Sequence, residues 1–66
     1  MNKYYIKVIG YDRLLEHEIT AESFMLHNGI IQFITYLDPG KQRYDTIGMF
    51  PIGKTVIYKV ERLNAD

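Results

Sequence analysis

The chain has 66 residues, no cysteine, and eight Lys and Arg residues that balance eight Asp and Glu residues. This length predicts one domain, residues 1–66, with only about 3 to 5 kcal/mol of net stability, so a homo-oligomer, most simply a dimer, is favoured. The lack of cysteine excludes disulfides and thiolate metal sites, and the zero net charge argues against a polyanion or a membrane surface as partner.

Two strands are predicted first, over residues 3–9 and 14–20, with a turn at residues 10–13. Alternation with a period of two gives the first strand two different faces. One face carries Tyr4, Ile6 and Val8, and the other carries Lys3, Tyr5, Lys7 and Ile9. In the second strand Glu16 and Glu18 share one face, which is therefore expected to lie in solvent.

The first residues of the chain interleave apolar and charged side chains, without the continuous apolar segment of a signal peptide. No run approaches the roughly 20 apolar residues that span a bilayer. The expected location is therefore the cytoplasm.

A β-hairpin is predicted over residues 23–37. Asn28 and Gly29 separate two apolar runs, and both residue types tolerate the positive φ that a two-residue type I′ turn demands. A short strand at residues 23–27 fits this turn better than a helix starting at residues 21–22. The second strand, residues 30–37, is rich in β-branched and aromatic side chains.

The last two strands are predicted over residues 44–50 and 55–63. A turn at residues 38–42 precedes them, with Pro39 presetting φ and Gly40 supplying the corner. Gly48 indicates a bulge or a close backbone approach within the fifth strand. The sequence therefore predicts an all-β fold, a single antiparallel meander of about six short strands that forms a curled sheet or a small open barrel.

No combination of residues predicts catalysis, a cofactor or a metal ion. His17 and His27 lie on separate predicted strands without further ligands, and Ser23 lacks the setting of a nucleophilic serine. Residues 48–55 have the spacing of a P-loop but continue into a strand, whereas that motif requires a helix. We therefore expect a protein without enzymatic activity.

The predicted hairpin has apolar residues on both faces, which favours a protein-binding surface. A small barrel buries only its inner face. The apolar side chains on its outer face are therefore expected to be buried by a second copy of the chain or by another protein. Met and Tyr are also enriched at interface centres. The predicted interface residues are Phe24, Met25, Ile30, Ile34 and Tyr36. The opposing interpretation is that a bulge or a two-sided sheet turns these residues inward.

Single-stranded nucleic acid is the alternative ligand. Small β-barrels stack bases on aromatic side chains that lie beside basic ones. The residues that would form such a surface are Lys3, Tyr5, Lys7, Arg43 and Tyr44. The zero net charge opposes this interpretation, because phosphate contacts dominate nucleic-acid affinity.

Four segments, residues 19–24, 28–33, 50–51 and 56–61, together resemble the small β proteins encoded by phages and other mobile elements. Some members of that group, including anti-CRISPR proteins, inhibit bacterial defence systems by binding a host protein. The resemblance therefore implies an inhibitor that sterically blocks a defence component in the host cytoplasm. It carries over no catalytic residues, and the neutral chain departs from the strongly acidic DNA mimics of that group.

Overall fold

The computed structural model describes residues 1–63 and contains six strands and one short 3-10 helix. The strands are β1 (Asn2–Ile9), β2 (Leu14–Ala21), β3 (Ser23–His27), β4 (Ile30–Tyr36), β5 (Tyr44–Pro51) and β6 (Thr55–Arg62), and the 3-10 helix is Ile52–Lys54. The predicted all-β fold of six antiparallel strands is confirmed, with strand ends within one residue of those predicted. Within residues 1–63 no helix is long and apolar enough to cross a membrane.

The strands form two three-stranded antiparallel sheets. The first sheet has the order β2-β1-β6 and the second has the order β3-β4-β5. Because β6 returns to pair with β1 and not with β5, the topology is not one continuous meander, and the described strands form no closed barrel. The chain passes from the first sheet to the second at Glu22.

Glu22 fixes this transition with both its backbone and its side chain. Its N–H donates to the carbonyl oxygen of Ile34 at 3.0 Å. Its carboxylate accepts from the Thr35 hydroxyl at 3.0 Å and from the Tyr36 N–H at 3.2 Å. The end of β2 is thereby tied to the end of β4, which holds the two sheets face to face.

The hydrophobic core lies between the two sheets. Its buried members are Tyr4, Ile6, Ala21, Ile31 and Phe33. The Phe33 ring contacts that of Tyr4 with centroids 5.1 Å apart. The side of each sheet that faces the core is its inner face, and the opposite side is its outer face. The period of two in β1 therefore leaves Lys3, Tyr5 and Lys7 on the outer face of the first sheet.

The Asn28-Gly29 turn has the predicted conformation, with φ of 49° at Asn28 and 73° at Gly29. In the following loop the positive φ falls on Lys41, at 59°, and not on Gly40, where the corner was predicted. The Lys41 N–H donates to the Asp38 carbonyl oxygen at 3.1 Å, and the Asp38 side chain accepts from the Arg43 N–H at 2.9 Å. These bonds hold the loop although its left-handed residue is not glycine.

Two bulges interrupt the regular pairing. In β5, Phe33 pairs with Gly48 and Ile34 pairs with Thr46, so Ile47 is the extra residue. Of the two alternatives predicted for Gly48, the bulge is present beside it. The atom that a Cβ on Gly48 would approach most closely is Cε2 of the Phe50 side chain, at 3.2 Å, and not a backbone atom.

In β6 the extra residue is Tyr58, because Tyr5 pairs with Lys59 while Ile6 pairs with Ile57. Ile57 and Val60 therefore both lie on the inner face of the first sheet. The bulge therefore shifts the side-chain pattern of this strand by one residue.

Replacing Gly29 by alanine is expected to reduce the free energy of unfolding by about 1 to 2 kcal/mol, because an L-residue is strained at the positive φ of this position. Urea denaturation followed by circular dichroism measures the loss. Gly53→Ala is the matched control, since Gly53 has no positive φ and its Cβ would meet no atom within 4 Å. Equal losses in the two variants would contradict the assigned turn.

Candidate protein-interaction surface

The outer face of the first sheet, called the charged face below, combines charged and aromatic side chains with a few aliphatic ones. Its charged and aromatic members are Lys3, Tyr5, Lys7, Glu16, Glu18, Tyr58, Lys59 and Glu61, and its other members are Ile9, Leu14, Thr20 and Val56. The cross-strand register places cations beside carboxylates and tyrosine rings, which is the arrangement that stabilises a solvated sheet surface. The predicted solvent-exposed acidic face of β2 is part of this surface, and both of its glutamates are exposed.

Each lysine of the charged face has a partner within the chain. Lys3 Nζ lies 2.7 Å from a carboxylate oxygen of Glu18. Lys7 lies over the Tyr58 ring, 4.7 Å from its centroid, and Lys59 lies over the Tyr5 ring at 5.0 Å. The carboxylate of this ion pair and those near the tyrosine hydroxyls would repel a phosphate.

Two titrating groups on this face have raised pKa values. The hydrogen bond and charge of Glu18 raise the pKa of the Lys3 ammonium above its ordinary value. Partial burial, followed by the hydrogen bond that its hydroxyl donates to Glu16 at 3.2 Å, raises the pKa of Tyr58. In both cases the folded chain holds its proton more tightly than the unfolded chain.

The raised pKa values predict a loss of stability at alkaline pH. Their stabilising contribution is complete below the unfolded values, near 10.5 for Lys3 and 10.0 for Tyr58, and is lost as the pH rises through the folded values. The melting temperature should therefore fall above pH 10. The double variant Lys3→Met/Tyr58→Phe should show a smaller fall, and an unchanged slope would contradict these assignments.

The outer face of the second sheet, called the apolar face below, contains no Lys, Arg, Asp or Glu on strands β3, β4 and β5. Its members are Ser23, Met25, His27, Ile30, Gln32, Ile34, Tyr36, Tyr44, Thr46, Met49 and Pro51. At its border Lys41 lies 5.6 Å from the centre of the Tyr36 ring. The outer side of the first sheet thus carries both signs of charge, whereas the strands of the second sheet place no charged residue on its outer side.

A hydrogen-bonded group lies at the centre of the apolar face. Gln32 is only 8% exposed, and its side-chain amide donates to the Thr46 hydroxyl at 2.7 Å. The His27 ring forms a hydrogen bond with the Gln32 side-chain oxygen. Because Gln32 has partners within the chain at both ends of its amide, a docked protein need not supply any.

The apolar face brings together four of the five residues predicted for the interface. Met25, Ile30 and Tyr36 lie on it half-buried, and Ile34 lies on it with no exposed surface. Phe24 lies on the inner face instead, edge-on to the Tyr4 ring with centroids 5.6 Å apart. Ile34 is therefore inaccessible to a partner, whereas Phe24 keeps 37% of its surface exposed on the other side of the sheet.

Strand β5 adds surface residues that sequence reasoning missed. Met49 is 58% exposed, and it lines a shallow cavity of about 280 Å³ together with Ile30, Phe50 and Pro51. The apolar character of these residues was visible in the sequence, but their pairing with β4 across a bulge was not.

The residues predicted for a nucleic-acid surface do not share one face. Lys3, Tyr5 and Lys7 belong to the charged face, whereas Tyr44 pairs with Tyr36 on the apolar face and Arg43 lies in the loop before β5. A strand that stacked on Tyr5 would therefore not reach Tyr44 without passing around the edge of the sandwich.

The two histidines have aromatic or polar neighbours. The His17 ring packs against the Phe50 ring with centroids 5.5 Å apart, and His27 bonds to Gln32. Residues 1–63 contain no group of three or more His, Cys, Asp or Glu residues that could hold a metal ion. Comparison with known proteins yields no matching family model, curated sequence or solved structure.

Proposed function

We propose that the chain is a non-enzymatic protein-binding module that docks on another protein through the apolar face. The observation that carries this proposal is the unequal distribution of charge over the sandwich. Lysines and glutamates populate the outer face of the first sheet, while the outer face of the second carries none. A large uncharged surface of this kind typically marks an interaction site.

The exposed side chains of the apolar face are of the types that contribute most to protein interfaces. Met49 and Tyr44 are 58% and 45% exposed, and Met25 and Ile30 retain part of their surface. Methionine adapts its shape to irregular partners, and tyrosine combines a large apolar ring with a hydroxyl. Covering them removes apolar area from water without removing the water shell of any formal charge.

The apolar face is also held in one conformation before binding. The Asn28-Gly29 turn fixes the register of β3 and β4, and the Gln32 hydrogen bonds tie both flanking strands to β4. A rigid surface loses little conformational entropy when a partner covers it. A protein that docks through this face covers a patch on its partner's surface and blocks any other interaction of that patch. The mode of action is therefore steric.

The partner expected from these features has an apolar patch without charged groups at its centre. The resemblance of the sequence to small β proteins of phages directs the search to components of bacterial defence systems. Inhibition of such a component in the host cytoplasm is the specific form of the proposal.

Site-specific photo-crosslinking tests the proposal. A photoreactive amino acid placed at Met49 should give a discrete protein adduct in a bacterial lysate. The same amino acid at Ile9, which is 53% exposed on the outer face of the first sheet, is the matched control. The captured protein, once purified, should bind the unlabelled chain directly.

Two results would contradict the proposal. One is equal crosslinking from Met49 and Ile9, which would show that contact depends on exposure alone. The other is salt-sensitive binding to a labelled single-stranded oligonucleotide that is lost in the variant Lys3→Ala/Lys7→Ala, which would favour the nucleic-acid alternative.

A further inference from the structure

Two three-stranded sheets leave four edge strands with unpaired backbone groups, and three of these edges are protected. Strand β2 carries Glu16 and Glu18, which would face each other in an antiparallel pair of two β2 strands. Strand β3 has only five residues. Strand β5 is interrupted by a bulge and a glycine and ends at Pro51. Short length, bulges, charge and proline are the usual means of preventing edge-to-edge pairing.

The fourth edge, strand β6, also has a bulge, at Tyr58, but the residues from Lys59 onward pair regularly with β1 and are complementary to themselves. An antiparallel pair of two β6 strands related by a two-fold axis at Val60 places Lys59 of each copy opposite Glu61 of the other. The same register places Val60 opposite its own copy. Opposite charges and apolar pairs directly across two strands both stabilise the pairing.

Neighbouring registers lack this complementarity. An axis at Lys59 places two lysines opposite each other, and an axis at Glu61 places two glutamates opposite each other. An axis at Tyr58 pairs Lys59 with Ile57. Of these four axes, only the axis at Val60 combines two ion pairs with an apolar contact, between the two Val60 side chains. The residues from Lys59 onward lie beyond the bulge, where β6 runs regularly along β1.

We infer that the chain forms a two-fold dimer in which the free edges of two β6 strands pair antiparallel about Val60. Val60 is 54% exposed on the inner face of the first sheet, and in the dimer it packs against its own copy. The two first sheets then form one six-stranded antiparallel sheet in the order β2-β1-β6-β6-β1-β2. This assembly covers an exposed edge and adds stability to a small core.

The dimer interface and the apolar face are different surfaces. Strand β6 belongs to the first sheet, whereas the apolar face belongs to β3, β4 and β5. A dimer through β6 therefore leaves two apolar faces free, so one assembly can hold two partner molecules. A variant can therefore lose dimerisation and keep partner binding, or lose partner binding and keep dimerisation.

Charge reversal across the two-fold axis tests the dimer, with mass measured by sedimentation equilibrium at physiological salt. The wild-type chain should have the mass of a dimer. Lys59→Glu and Glu61→Lys should each weaken dimerisation by about tenfold or more, because each places like charges opposite one another twice. An equimolar mixture of the two variants should restore the dimer, and so should the double variant Lys59→Glu/Glu61→Lys in a single chain.

The controls carry the same charge changes away from β6. Arg13→Glu and Asp12→Lys lie in the turn between β1 and β2 and should leave the dimer unchanged. Circular dichroism confirms that each variant is folded. A wild-type chain that is still monomeric at about 100 µM, dimeric single variants, or a mixture that remains monomeric would each overturn the inference. Dissociation by Met49→Glu would also overturn it, by placing the dimer contact on the apolar face.

Discussion

Replacing Phe33 by alanine is expected to unfold the chain at 25 °C. Phe33 has no exposed surface, and its ring contacts Tyr4, Phe24 and Phe50 with centroid distances of 5.1, 5.9 and 6.0 Å. Truncation of a buried phenylalanine costs about 3 to 5 kcal/mol. This loss equals the whole net stability of about 3 to 5 kcal/mol expected for a core of this size.

The change should appear as loss of the far-ultraviolet β-sheet signal and of any cooperative thermal transition. Leu26→Ala is the control, because Leu26 is a large apolar residue on the same sheet with 61% of its surface exposed. That variant should melt within a few degrees of the wild-type chain. A Phe33→Ala variant with a cooperative transition close to that of Leu26→Ala would show that the core does not depend on contacts between the sheets.

Replacing Ile34 by glutamate is expected to have an effect of similar size. Ile34 has no exposed surface although it lies on the outer side of the second sheet, away from the cluster around Phe33. An uncompensated charge at a buried position costs about 3 to 5 kcal/mol, and no Lys or Arg lies on the strands of this face to pair with it. The variant should therefore be unfolded, as measured by circular dichroism.

Met49→Glu provides the comparison for Ile34→Glu, since both introduce the same charge on the apolar face. Met49 is 58% exposed, so its replacement leaves the new carboxylate in water and should keep the melting temperature close to that of the wild-type chain. If Ile34→Glu folded as well as Met49→Glu, the burial of Ile34 would be contradicted. Loss of partner binding in Ile34→Glu would report unfolding, whereas loss in Met49→Glu would report the interface.

Local sequence patterns predict most of the strands of this protein. The alternation in β1 and the β-branched residues of β4 define both strands to within one residue, and the Asn28-Gly29 pair defines the turn conformation. These features depend on residues near one another in the chain. They can therefore be read without knowledge of which strands pair.

The pairing of distant strands could not be predicted from the sequence. Nothing local indicates that β6 pairs with β1, which divides the strands between two sheets. The bulge at Tyr58 then reverses the side-chain pattern of β6, although its local sequence alternates regularly. Long-range pairing and bulges depend on the fit of the whole sheet, and one extra residue moves every later side chain to the other face.

The candidate site was predictable in outline, but the exposure of its individual residues was not. The apolar pattern of both hairpin strands indicated a second apolar surface, and Met25, Ile30 and Tyr36 lie on it. Phe24 and Ile34 are equally apolar, but Phe24 lies on the inner face and Ile34 is fully covered. Met49 was not predicted to belong to this surface, because its position on the face depends on the bulge at Ile47.

One measurement tests the central claim most directly. It is the affinity of three forms of the chain for the partner that is crosslinked at Met49. Isothermal titration calorimetry would compare the wild-type chain with Met49→Glu and Ile9→Glu, two variants with the same charge change at residues 58% and 53% exposed. Met49→Glu should weaken binding by at least about tenfold, or 1.4 kcal/mol, while Ile9→Glu should bind within about twofold of wild type. Equal affinities for the two variants would contradict binding through the apolar face.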